Sequence, residues 1–497
     1  MARVSRKSKS GAAPAPPPVA KQEGAGATLE VLKDPFSRRS FLGLAGAVVA
    51  GAALDACGIG GSSSSTTGTT TAKTGGFTLI PFYTTEDDPA TMKITADAID
   101  AFNGKHEGVK VVQIAMSNAE RAQKIITGLT VGQDMGIFEV ESTFRASFVD
   151  GGYLYPMDSL IKSICEDQFD LGARTIAKGH DWVMPYGAGP PVLWGRKDRV
   201  ARPPKTFQEF QQFAKDNTGG GKFGVNISIG GPVAFSLEFP GWLYAFGGDI
   251  FDPQANVVFD SSQVTEAINA YLTMLKFAPP DSATWPVYNL IDAYVSERAA
   301  MAEYAGRLGS NIPSKAPKLE SQTWTTPLPM GTTGVTGNVI SVVAVDKKTA
   351  NPELALEFIK TLLTGDTGVK YMNSVPGQLI SLVKSVRDKA IADKSNPLVA
   401  NHPDWWSVLN DRQGHAIEPA GPMGFMNKGT FKPYNGEPPP FGAQVWGSNP
   451  IAMQMIQKIT LQSMSVKDAQ AWATDQYKGI VKNYKSKNPN WKPNGGQ

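Results

Sequence analysis

Cysteine and histidine are scarce in this 497-residue chain: two of the first, Cys57 and Cys165, and four of the second, His106, His180, His402 and His415. Two cysteines cannot build a disulfide framework or a multi-thiolate zinc site, and four scattered histidines leave little for imidazole-centred catalysis. His402 and His415, with Asp404, Asp411 and Glu418 nearby, can be drawn as a metal site, but their polar setting favours plain surface loops. Cys165 is expected to be a buried or half-buried thiol without a partner. No apolar run reaches the roughly 20 residues a membrane span needs, which excludes a polytopic membrane protein. Walker, GxGxxG, GxSxG and HExxH motifs are absent as well. What is present is 41% hydrophobic and 19% charged residues, the balance of a soluble globular protein of two or three domain-sized units.

The formal charge of +3 is unevenly spread. Residues 1–56 hold eight Lys or Arg against four Asp or Glu, so the chain from Cys57 onward carries a net −1. A near-neutral body gives no support to nucleic-acid binding. Residues 1–39 combine that basic charge with a Pro-Ala run and cannot pack a core. The apolar stretch 41–54 would span about 21 Å as a helix, too short for a bilayer and the size of a signal-peptide core. Arg38-Arg39 before Phe41-Leu42 resembles a twin-arginine export signal. Leu54-Asp55-Ala56-Cys57 resembles a lipobox, with Asp55 the one departure, so Cys57 is the expected lipidated N-terminus. Residues 57–76 are then a Gly/Ser/Thr tether with an r.m.s. reach of about 24 Å. The expected location is the extracytoplasmic face of the cell membrane, held by a lipid anchor.

Beyond the tether the pattern alternates. Strands are predicted at 77–83, 109–114 and 136–140, with helices at 89–103 and 120–131 between them, the spacing of right-handed crossovers and a parallel sheet. The Thr206-x-x-Glu209 capping box opens a helix to about residue 216, Val264 to Leu275 forms an apolar stripe, and Asn351-Pro352 starts a helix. Residues 414–442 have no apolar period and are expected to be a long irregular loop. Helices at 451–464 and 466–484 close the chain.

Aromatics are the distinctive resource: ten Trp, 13 Tyr and 23 Phe. Several stand beside glycines or at element ends, among them Tyr83, Tyr186, Trp194, Trp242, Trp285, Tyr288, Tyr304 and Trp446. Aromatic faces stack on the C–H faces of sugar rings, while carboxylates, amides and arginines take the hydroxyls. Open α/β sheets place such ligands beyond their strand C-termini.

Residues 150–158 (DGGYLYPMD), 182–187 (WVMPYG), 246–252 (FGGDIFD), 298–301 (RAAM) and 350–359 (ANPELALEFI) follow the order and spacing of the family 1 extracellular solute-binding proteins. The chain resembles this family, the sugar-type substrate receptors of ABC importers, over most of residues 77–484. The resemblance implies a two-lobed periplasmic-binding-protein-like α/β fold, each lobe a mostly parallel sheet flanked by helices, joined by a multi-strand hinge. Lobe 1 would hold residues 77–187 and 332–374, lobe 2 residues 188–331 and 375–497, with crossings near 185–190, 326–331 and 375–378. Ligand contacts carried over by position are Glu141, Trp242, Tyr304 and Arg307, joined by Tyr83, Tyr186, Trp285 and Trp446 from the aromatic set. Where the family commonly has Gly-Pro-Trp, this chain has Gly306-Arg307-Leu308, and an arginine there could favour an anionic ligand. The implied function is capture of a carbohydrate or similar solute by a monomer that delivers it to ABC permease subunits, without cofactor, metal or catalysis. A same-fold receptor for a polyamine, peptide or ferric complex, or a secreted glycoside hydrolase, is the alternative. A polyamine site would need several acids among the aromatics, and a hydrolase two carboxylates flanking the scissile bond.

Overall fold

The computed structural model describes residues 73–493, except 75, 170–173, 175, 253, 338–339, 414, 418–424, 428–429, 433–440 and 448. Arg38, Arg39 and Cys57 lie outside the described residues. Two mixed sheets organise the rest. In the first, β2 (Phe77–Thr84) pairs in parallel with β3 (Val109–Ala115) and with β4 (Ile137–Glu141). The helices between these strands, Pro89–Asn103 and Asn118–Val131, make the two crossovers. Ser117 caps the second by accepting from Glu120 N at 3.3 Å. Two further strands enter antiparallel: β13 (Ile340–Val345) runs between β4 and β7 (Met184–Ala188). The last residues of the expected tether also depart from the sequence reading, because β1 (Lys73–Thr74) folds back antiparallel on the start of β2. The sheet is therefore mixed rather than mostly parallel, since strands that return after a long excursion re-enter from the opposite direction.

The second sheet has the order β11-β8-β10-β9. Its strands are β8 (Val192–Arg196), β9 (Phe223–Asn226), β10 (Ala299–Tyr304) and β11 (Thr323–Thr326). Only the β9–β10 pair is parallel. Residues 189–191 carry the chain from β7 in the first sheet to β8 in the second, and residues 327–339 carry it back from β11 to β13. A third strand-like segment, at Ile380, exchanges backbone hydrogen bonds with Ala188 at 2.9 and 3.1 Å.

Alternation along the strands puts an apolar core on both faces of each sheet. Ile80 and Phe82 face one layer with Phe102, Phe358 and Ile359; Phe138 and Val140 face the other with Phe144, Phe148 and Leu129. In the second sheet Val225 and Met301 join Phe210, Trp242 and Tyr271, whereas Trp194 and Ala302 join Leu308, Trp405 and Trp406. The helices over these faces include Phe207–Asp216, Pro232–Ala245 and Ser262–Leu275, and the closing pair Ile451–Gln462 and Val466–Lys487. Within 414–442, expected to be irregular, short strands occur. β14 (Ala416–Ile417) pairs with β12 (Thr336–Gly337), and β15 (Phe425–Asn427) pairs with β16 (Thr430–Lys432). No helix among the described residues is long and apolar enough to cross a membrane.

Candidate functional site

The C-terminal ends of β2 and β4 in the first sheet meet the C-terminal end of β10 in the second. Thr84 ends β2, and the chain continues as Thr85-Glu86-Asp87-Asp88. Glu139, one strand over, holds this turn: it accepts from Thr84 Oγ1 at 2.5 Å and from Thr85 N and Oγ1, both at 2.8 Å. Arg121 reaches in from its helix to bond Thr85 Oγ1 at 3.3 Å. The turn is thus pinned so that Glu86 and Asp88 project beyond the sheet.

Across from them, β10 ends at Tyr304 and Arg307 opens the helix Arg307–Lys315. Its guanidinium donates to Glu86 Oε2 at 2.7 Å and to Asp88 Oδ2. Arg307 is only 6% exposed. Burial works against its charge, but the two carboxylates more than offset that, and its proton is held more tightly than in free arginine. Burial raises the Glu86 carboxyl, and Arg307 pulls it part of the way back. Tyrosines surround the bridge. Tyr186 and Tyr371 meet edge to face at 6.0 Å, within the electrostatic reach of Glu86 and Glu139. Tyr288 and Tyr304 lie near Arg307 and Asp88. Burial raises the phenols of all four. The arrangement offers aromatic rings and hydroxyls from both sheets and acids from the first, with the Arg307 guanidinium already neutralised and Arg121 4.0 Å from Glu139. Among the described residues no group of three or more His, Cys, Asp or Glu could hold a metal ion.

A profile described as "Bacterial extracellular solute-binding protein" matches residues 84–367, more than half of the chain. The chain belongs to that family. An uncharacterized lipoprotein in the oleD 5′ region of Streptomyces antibioticus is 24% identical over 296 residues, 55% of this chain and 64% of that one. A maltotriose-binding protein of Pyrococcus abyssi (strain GE5 / Orsay) is 24% identical over 168 residues, 33% of this chain and 36% of its own. The solute-binding chain thus spans less than two thirds of the length of these relatives. The structure of maltose-bound T. maritima MalE3 superposes with a TM-score of 0.66 at 17% identity, over 81% of this chain and 99% of that one. The fold is therefore the two-lobed periplasmic-binding type, and the family and fold are those of receptors rather than of enzymes.

Within this solute-binding protein the residues singled out from sequence separate into groups. Tyr186, Tyr304 and Arg307 come together at the facing strand ends. Trp242 does not: it is fully buried between Phe207, Phe210 and Tyr271, and its indole donates to Glu303 at 2.8 Å. Gly241-Trp242 belongs to a helix interior, whereas the sequence suggested a loop, so this tryptophan is a core residue and not a stacking platform. Trp446 likewise packs into the core of the second sheet with Phe441 and Val445. Tyr83 is buried on the opposite face of the first sheet from Tyr186, and its hydroxyl accepts from Gln133 at 3.4 Å. Trp285 is buried under the Arg298 guanidinium, 5.4 Å from its ring. Glu141 closes β4, opposite Ser341; its side chain lies outside the described residues.

Other expectations need correcting. The idea that Arg307 favours an anionic ligand fails on charge, because Glu86 and Asp88 already occupy its guanidinium. Cys165 is exposed, in a turn with φ of 78°, where its predicted packing has no place. His402 is engaged by Glu320 at 2.8 Å and stacked on Trp405 at 3.8 Å. Sequence reading missed Glu86 and Asp88 as site residues, although an acidic run directly after the first strand was a usable signal. Glu139 and Tyr371 carry no such mark. A cavity of about 390 Å³ lined by Met372, Pro376, Gly377 and Trp406 opens beside the Gly306–Gly377 contact, just past the end of β10.

Proposed function

We propose that this protein is an extracytoplasmic receptor of an ABC importer that binds a sugar or sugar-like solute between its lobes and hands it to the permease. The observation that carries this reading is the convergence of Tyr186, Tyr288, Tyr304 and Tyr371 with Glu86, Asp88 and Arg307 around the facing ends of β2 and β10, Tyr186, Tyr304 and Tyr371 being buried there. That mixture of aromatic faces and hydroxyl acceptors is what a saccharide requires. The maltotriose-binding and maltose-bound relatives support a carbohydrate ligand. Lobe 1 is proposed as residues 77–187 with 332–374 and lobe 2 as residues 188–331 with 375–497, closing about the crossings near 185–190, 326–331 and 375–378. Tyr83, Glu141 and Trp285 are kept as candidate contacts in the opened state. Export through Arg38-Arg39, lipidation at Cys57 and action as a monomer complete the proposal, and the lipoprotein among the relatives supports the anchor.

Calorimetry with maltose, maltotriose and longer oligosaccharides tests the function. A saccharide binding one-to-one at micromolar affinity or better is expected, weakened at least tenfold by Tyr304→Ala. Hydrolysis of the saccharide during titration would instead make the protein a glycosidase.

A further inference from the structure

Two carboxylates of the second sheet's surroundings are unused by the bridge. Glu238, on the helix Pro232–Ala245, and Glu303, on β10, are 2% and 1% exposed. One oxygen of each is tied down. Glu238 Oε2 accepts from Ser228 N at 3.1 Å and Tyr271 Oη at 3.3 Å, and Glu303 Oε2 accepts from the Trp242 indole. The other two oxygens, Glu238 Oε1 and Glu303 Oε1, have no hydrogen-bond partner, and neither has Oγ1 of Thr336 on β12, which is 4% exposed. Gly241 lies between two of them: a Cβ there would sit 3.3 Å from Gly337 N, 3.5 Å from Thr336 Oγ1 and 3.8 Å from Glu303 Oε1, so the absence of a side chain lets these groups approach one another.

Three buried polar oxygens from three elements are thus unmatched, two of them on adjacent acids whose carboxyls are raised by burial, Glu238 further by the neighbouring Glu303. No cation is among the groups that act on either acid, and Arg307 is engaged by Glu86 and Asp88. An alkylammonium group carries three N–H donors and one positive charge, the complement of this set; a neutral hydroxyl brings one donor and no charge. Tyr304 connects the set to the strand ends, since its phenol lies within the electrostatic reach of both Glu238 and Asp88.

We infer that Glu238, Glu303 and Thr336 form a subsite for a protonated amine of the transported solute, which makes the ligand an amino sugar rather than a neutral one. The inference rests on the inter-lobe binding site proposed above. The full chain is titrated calorimetrically with glucosamine oligomers, their N-acetylated counterparts, spermidine and maltotriose. The free-amine oligomers are expected to bind at least tenfold more tightly than the N-acetylated ones. Glu303→Gln and Gly241→Ala should each remove that advantage, the first by deleting the carboxylate an ammonium would draw out and the second by placing a methyl group against Thr336 and Glu303. Melting temperature checks that both variants fold; Gly241→Ala replaces a helical glycine with a better helix former. Equal affinity for amine and N-acetyl forms, or folded variants with unchanged amine affinity, would overturn the subsite. Tight binding of maltotriose alone would overturn it while leaving the sugar receptor standing. Binding of spermidine without any sugar would keep the subsite and overturn the carbohydrate reading.

Discussion

At Arg307 a single side chain joins loops that belong to different sheets. Truncating one partner of a buried pair leaves an uncompensated charge, which typically costs about 3–5 kcal/mol. Arg307→Ala should therefore lower stability by about that much. It should also let the lobes separate, and denaturant unfolding together with small-angle scattering measures both effects. A double-mutant cycle with Glu86→Gln should recover part of the loss, because the acid left behind is then neutral. Glu303 makes a second prediction. Burial pushes its carboxyl up to about 8, against an ordinary value near 4.5. A carboxyl raised in the folded state binds its proton more tightly there than in the unfolded chain. Its contribution is fully present below about pH 4.5 and is lost as pH rises through about 8. Without ligand, stability should fall by a few kcal/mol across that window. Glu303→Gln should flatten the curve, as thermal unfolding at a series of pH values would reveal. None of this was legible in the sequence. Glu303 sits in the apolar run Ala299-Ala300-Met301-Ala302, and nothing in that run announces that Glu238 lies beside it.

At the scale of elements, local rules carried far. The helix predicted at 89–103 spans Pro89–Asn103, and strands 77–83 and 109–114 agree with β2 and β3 to within a residue. Proline at N1, Ser or Thr caps and period-two alternation act within a few residues, so they can be read before folding. Thr206 caps its helix as expected, accepting from Glu209 N at 3.1 Å, and Thr206→Ala should cost about 1 kcal/mol in chemical denaturation. The Glu209 carboxylate, however, reaches Lys205 N at 2.7 Å and pairs with Arg202, not with the cap's own backbone. In the returning segment 327–339, Gly331 has φ of 68°, and a Cβ there would fall 1.8 Å from the Ala245 carbonyl oxygen. Gly331→Ala should destabilise by about 2 kcal/mol or more and blunt ligand-induced closure, seen as a smaller change in radius of gyration on binding. The short strands β14 to β16 were not foreseen, because β14 is defined by pairing with β12, some eighty residues away in the chain.

For the whole molecule, the lipid anchor and the binding body make separable predictions. If Cys57 is lipidated as proposed, metabolic labelling with a fatty acid should mark the wild type and not Cys57→Ser, whereas ligand affinity should be the same in both, because none of the proposed ligand contacts lies in the sequence near Cys57. The amino-acid sequence alone was enough to read the near-neutral charge of the body, the alternation of strands and helices and the family resemblance, and to suggest the export and lipidation signals. Those properties reside in composition, in contiguous motifs and in short-range periodicity. Tertiary structure alone decided that Trp242 and Trp446 pack inside the second sheet's core while Tyr186 and Tyr371 gather near Glu86. It also decided that Arg307 is neutralised by Glu86 and Asp88, and that Glu238, Glu303 and Thr336 each bury an oxygen without a hydrogen-bond partner. Each of these depends on contacts between residues tens to hundreds of positions apart, and burial and pairing are created only when the two sheets pack.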